Sequence, residues 1–220
     1  MIRADLPWKW VLLAGAVGFG SSRIYSSLLH WPRPWFVLAY SVTVSILLAL
    51  YASRERVSLL LQTRRHARTG VVFGLLIGAL LLFQVFSQPA SSGPTGLGLL
   101  ADLAWYGVVY GTADAVLLSV IPVLTLYGSQ PPEVLRSPGG RTRWAGVAVA
   151  ASALVTALYH LGFDEFRGPQ VIQPVVGNLI ITLGYLLCGS PLAAVVAHVL
   201  MHGGAVLHGM ETTVQLPPHY

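Results

Sequence analysis

The sequence predicts an all-α protein, a polytopic bundle of about seven transmembrane helices. Three observations carry this reading. Of 220 residues, 55% are hydrophobic and only 10% are charged, whereas a water-facing domain carries about 25% charged residues. The mean hydropathy is +0.68. The apolar runs are long, on the scale of the roughly 20 residues that cross a bilayer as a helix.

Seven apolar segments follow one another at about 8–29, 35–52, 71–87, 97–127, 144–163, 171–188 and 191–209. The first opens with "MIRADLPWKWVLLAGAVGFGSS", a basic lead and an apolar run that a secretory signal would also have. A membrane anchor is the expectation, because further spans follow and no A-x-A cleavage site precedes Ser21. The polar "SSR" at 21–23 marks a place where this span could end early. The fourth segment is too long for one straight span, so it should tilt, kink near Gly107 or Gly111, or project from the membrane.

The loops are short and rich in Pro and Gly, so the whole chain, 1–220, reads as one integral membrane domain. The small-xxx-small pairs "GLLIG" at 74–78 and "GVVYG" at 107–111 would permit close helix approach.

Basic residues set the orientation, because cytoplasmic loops are enriched in them. The 53–70 loop carries Arg54, Arg56, Arg64, Arg65 and Arg68, and the 128–143 loop carries Arg136, Arg141 and Arg143. With Arg3 and Lys9, ten basic residues fall on one side, and Arg23, Arg33 and Arg167 on the other. The expectation is a cell-membrane protein with its N-terminus in the cytoplasm and its C-terminus outside. Membrane lipid is then the obligatory partner. The net charge of +5 carries no nucleic-acid signal, since the basic residues lie in short loops. The lone Cys188 excludes an internal disulfide framework.

Ionisable groups at membrane depth are costly and usually face the protein interior or a wet cavity. The set here is Asp102, Asp114, His160, His198 and His202. Asp102 is near the outer end of its segment, where the interface tolerates charge. Asp114, in "YGTADAVLLSVIPVL", is well inside and needs a proton, a cation or several hydrogen bonds. His160 by itself reads as a satisfied polar contact. His198 and His202, four apart in "AHVLMHGGAVLH", share one helix face, and two imidazoles at that spacing can chelate one metal ion. His208 is off that face and belongs at the outer interface. The loop "LGFDEFRGPQ" at 161–170 reads first as a solvated loop with a local ion pair, and second as a lid or substrate contact. The tail "METTVQLPPHY" has a Pro-Pro turn and no readable role.

Three blocks resemble a known family. "SALVTALYHLGF" resembles a Phe/Leu-x-x-x-His transmembrane motif. "VVGNLIITLGYLLCGSPLAAVVAHVLMH" resembles the block that follows it, ending in Ala-His-x-x-x-Asn. Together with "TADAVLL" they are similar to the CPBP family of intramembrane proteases, which includes the type II CAAX prenyl endopeptidases. The resemblance covers about 108–205, within a CPBP-like core of about 97–209. His160 and His198 match the family's histidines directly, while His202 stands where the family usually has Asn. The family's Glu-Glu-x-x-x-Arg motif aligns only with Ala113, Asp114 and Leu118, so one acid is missing, one is shortened and the arginine is absent.

The resemblance implies a site built from Asp114, His160, His198 and His202. One carboxylate and three imidazoles suit a divalent metal, zinc above all. If all four coordinate, no spare carboxylate remains as a general base. The implied function is a divergent metalloprotease acting on a membrane-associated protein or peptide. The alternative is a catalytically inactive relative with a structural metal or partner-binding role. A haem protein is a third reading, with His160 and His198 as axial ligands, and no inverted repeat favours a transporter.

Overall fold

The computed structural model describes residues 8–58, 62–64 and 66–217. Arg3 and Arg65 of the charge reading lie outside the described residues, as do Pro218, His219 and Tyr220 of the tail. Among the described residues all regular structure is helical.

Each of the seven apolar segments forms a helix. Helix α1 runs Trp8–Ser21 and continues with π-helical winding over Ser22–Leu28, so the "SSR" triplet loosens the helix without ending it. Helix α2 is Arg33–Glu55, and α3 is Ala67–Phe86. Helix α4 spans Gly96–Leu126. The short α5, Pro132–Arg136, leads into α6, Pro138–Leu161, where the Ser137 side chain accepts the Gly140 N–H as an N-cap. Helices α7, Ile172–Cys188, and α8, Leu192–His208, close the bundle. Gly189, with φ +67°, makes the left-handed turn between them, a conformation that a Cβ would strain.

Five of these helices, α2, α3, α4, α6 and the Pro169–Cys188 stretch that contains α7, are long and apolar enough to cross a membrane. Helix α8 is shorter, at 17 residues. Large apolar side chains such as Leu76, Phe83, Leu97 and Leu187 project from the bundle surface, as a lipid-facing exterior requires.

The long fourth helix resolves its excess length by position and winding. It is the most buried of the candidate spans, and it passes through two π-helical stretches, Leu103–Tyr110 and Ala115–Val120. These flank Asp114. Such bulges frequently accompany functional sites, because they re-aim side chains and free backbone groups.

Glycines seat α8 between α3 and α4. A Cβ at Gly74 would lie 2.6 Å from Val196 Cβ, and one at Gly78 would lie 2.7 Å from Leu200 Cδ1. On the other side, a Cβ at Gly107 would lie 3.2 Å from Gly203 Cα, and one at Gly111 would lie 3.1 Å from the His198 carbonyl oxygen. Both small-xxx-small pairs therefore face the same helix, the one that carries His198 and His202.

Candidate metal centre

Asp114 on α4 and His198 and His202 on α8 come together in the middle of the bundle. One ligand atom from each lies within 4.8 Å of the other two. All three residues are buried, at 3%, 2% and 1% exposure, so water does not screen them. The carboxylate is divided between two tasks. Its Oδ1 accepts a hydrogen bond from Tyr40 Oη at 2.8 Å, and its Oδ2 lies 3.2 Å from His202 Nε2.

That last contact lacks hydrogen-bond geometry, and both ring nitrogens of His202 are buried without a hydrogen-bond partner. Nδ1 of His198 is in the same condition. Buried polar atoms are normally satisfied, and leaving one unpaired costs about 1–3 kcal/mol. A neutral imidazole has one lone pair, so His198 and His202 offer one ligand nitrogen each, and with the carboxylate they fit a divalent cation. The donor set, imidazole nitrogen and carboxylate oxygen, is one that zinc accepts.

The rings around the site hold it in shape. His198 and His202 stack with their centroids 5.8 Å apart, as their i, i+4 spacing dictates. Tyr110 packs on His202 at 4.7 Å, and its hydroxyl meets that of Tyr159 at 2.8 Å.

His160 takes a separate position. It lines the same cavity as the other three but is not part of the close ligand group. Its Nδ1 lies 2.8 Å from the Thr156 carbonyl oxygen. A carbonyl only accepts, so Nδ1 carries the proton and Nε2 is left bare.

Asn178 was not singled out from the sequence, yet it is central here. Its Oδ1 lies 3.2 Å from His198 Nε2 and accepts from Ser119 Oγ at 2.8 Å. Its Nδ2 reaches Thr156 Oγ1 at 2.6 Å, Ser152 Oγ at 2.9 Å and the Leu118 carbonyl at 3.3 Å. The signal available in the sequence was an amide within "VVGNLIITLGYLL", with Thr182 four residues on. Attention to charged groups alone passes over it. The tyrosines Tyr40, Tyr110 and Tyr159 escaped for the same reason.

The cavity has room for water of about 50 Å³, enough for a few molecules at roughly 10–15 Å³ each. Two segments distant in the chain contribute to its lining. Phe163 and Phe166, from the 161–170 loop, form one wall. In that loop Asp164 pairs with Arg167 at 2.8 Å and with Arg23 at 2.9 Å, so the expected local ion pair extends to α1. The other wall is the tail, with Val214, Gln215, Leu216 and Pro217 lining the cavity. The tail is tied down: Thr212 Oγ1 donates to the Pro89 carbonyl, Gln88 Nε2 donates to Gln215 Oε1 at 2.9 Å, and Arg33 Nε donates to the Pro217 carbonyl at 2.7 Å. His208 is half-buried, with Nε2 2.7 Å from the Gln88 carbonyl oxygen, apart from the site as expected.

A family model described as "Type II CAAX prenyl endopeptidase Rce1-like" matches residues 133–203. The matched stretch includes His160, His198 and His202 and stops short of Asp114. No curated protein and no solved structure matches the chain. The match agrees with the resemblance carried by the two histidine-bearing helices, and the long apolar helices fit a chain that spans a membrane.

Proposed function

We propose that the chain, whose residues 133–203 match that family, is a divergent member of the CPBP group and an intramembrane metalloprotease acting on a membrane-associated protein or peptide. One observation carries the reading: Asp114, His198 and His202 present ligand atoms within 4.8 Å of one another, with buried imidazole nitrogens that have no hydrogen-bond partner among the protein's own groups.

In this reading the three residues hold one divalent ion, for which zinc is the first candidate. When bound, such an ion polarises a carbonyl and acidifies water. The chain's own groups do the rest. Tyr40 fixes the Asp114 carboxylate through Oδ1, leaving Oδ2 toward the histidines. His160, outside the ligand group, keeps its Nε2 lone pair on the cavity wall and serves as the general base that takes a proton from water. This answers the difficulty posed by a four-ligand set, which would leave no base. The walls formed by Phe163, Phe166 and the tail exclude bulk water, and one of them must move to admit a peptide. The orientation with the N-terminus cytoplasmic would place the mouth at the outer face, where Arg23, Arg33 and Arg167 lie.

A second reading has its own support. Ala113 and Leu118 stand where the family has Glu and Arg, and both are buried apolar side chains. An inactive relative with a structural metal would have the same ligand group.

The test is zinc stoichiometry and peptide hydrolysis by the purified protein in lipid nanodiscs. Proteolysis predicts one zinc per chain, cleavage abolished by His160→Ala, and zinc retained in that variant. One zinc without cleavage of any membrane-anchored peptide supports the structural alternative. No zinc binding at all would sink both.

A further inference from the structure

Beneath the candidate ligands lies a second polar cluster, and the orientation of its amide follows from the hydrogen bonds around it. It begins with Pro122. A proline has no N–H, so the carbonyl of Leu118, four residues back, has no i+4 partner. That oxygen accepts instead from Ser152 Oγ at 2.5 Å, with Asn178 Nδ2 beside it at 3.3 Å. A carbonyl cannot donate, so the side of the Asn178 amide facing it must be NH₂.

Two further contacts agree. Thr156 gives its hydroxyl proton to the Ser152 carbonyl at 2.8 Å, and Ser152 gives its own to Leu118. Both hydroxyl oxygens therefore accept from Asn178 Nδ2. Its Oδ1 is then turned toward Ser119 and His198. Since Oδ1 only accepts, Nε2 of His198 must carry the ring proton, and Nδ1 must be the bare nitrogen. Nδ1 is also the atom that is buried with no hydrogen-bond partner.

We propose that Asn178 is a positioning residue that sets the tautomer of His198, holding the proton on Nε2 and presenting Nδ1 as the ligand atom. The inference rests on the metal-centre reading for its purpose, although the tautomer follows from the hydrogen bonds alone. Outer partners of this kind orient ligand histidines. Pro122 and the Ser119, Ser152, Thr156 and Thr182 hydroxyls are then the frame that keeps the amide from flipping.

The experiment is nitrogen NMR of ring-labelled histidine in the metal-free full chain, with the His198 signals identified by their loss in His198→Ala. The wild type should show a protonated Nε2 and an unprotonated Nδ1. In Asn178→Leu the His198 ring should populate the opposite tautomer, and zinc affinity should fall about 10–100-fold. His160, held by a backbone carbonyl, should keep its tautomer in that variant. Asn178→Asp, which retains an acceptor, should restore the proton to Nε2. A proton on Nδ1 in the wild type would overturn the proposal without any variant needing to fold, and so would an unchanged tautomer and zinc affinity in Asn178→Leu. Zinc binding by a wild type with the wrong tautomer would leave the metal reading standing. The right tautomer with no zinc binding would support the role of Asn178 and remove the metal.

Discussion

Two polar clusters lie side by side in the bundle, equally buried and opposite in character. Around Asn178, the side chains of Ser119, Ser152, Thr156 and Thr182 all have hydrogen-bond partners, and so does the carbonyl that Pro122 orphans. A few ångströms away, Asp114, His198 and His202 are as deeply buried, yet three ring nitrogens have no hydrogen-bond partner. Burial is the same, so burial does not explain the difference. A saturated network specifies structure; an unsaturated one is held open by the structure around it. The contrast separates scaffold from chemistry inside one apolar protein.

The comparison can be broken at its strongest point first. His202→Ala removes a ligand, and zinc affinity should fall by more than the ~100-fold typical of an outer-partner loss; titration of the purified protein checks it. If affinity is unchanged, the open cluster is not a metal site. Ser152→Ala attacks the saturated side. It removes the shortest bond to the Leu118 carbonyl and one acceptor for Asn178, and should cost about 1–3 kcal/mol in stability, read by thermal unfolding in detergent.

Gly111→Ala tests the scaffold that brings the clusters together. The new Cβ would lie 3.1 Å from the His198 carbonyl, so α8 must shift. Overpacking of this kind costs about 1–3 kcal/mol, and zinc affinity should fall with it. Arg33→Gln weakens the tie on the tail at Pro217. Zinc should then be stripped faster by a chelator, with its equilibrium affinity little changed. The smallest effect belongs to Asp164→Asn. The ion pairs with Arg23 and Arg167 are half-exposed, and pairs of this kind contribute about 0–1 kcal/mol.

Much of this was legible in the sequence, for identifiable reasons. The seven helices follow from long apolar runs, a signal that lipid makes strong because backbone polar groups must be satisfied within each segment. His198 and His202 share a face because helical geometry alone puts i and i+4 together. Asp114 could be singled out because a carboxylate in an apolar run must find a partner. His160 was singled out by its family motif. Its separation from the close ligand group was not, because that depends on where α6 crosses α4 and α8. Asn178 was missed because a neutral amide raises no alarm by cost. Only its register against Ser119 and Ser152, from two other helices, gives it a role. The tail was unreadable because its contacts are to residues 33 and 88–91, far away in the chain.

By itself, then, the sequence determined the solvent, the helices, the glycine stripes and the paired histidines. These are properties of composition and local periodicity, set within one segment at a time. Only the tertiary structure decided which glycines face which helix, that both small-residue pairs seat the histidine helix, and that the tail and the 161–170 loop wall the cavity. It also decided which polar atoms are satisfied. That distinction rests on distances of about 3 Å between residues many turns apart, and no pattern along one helix encodes it.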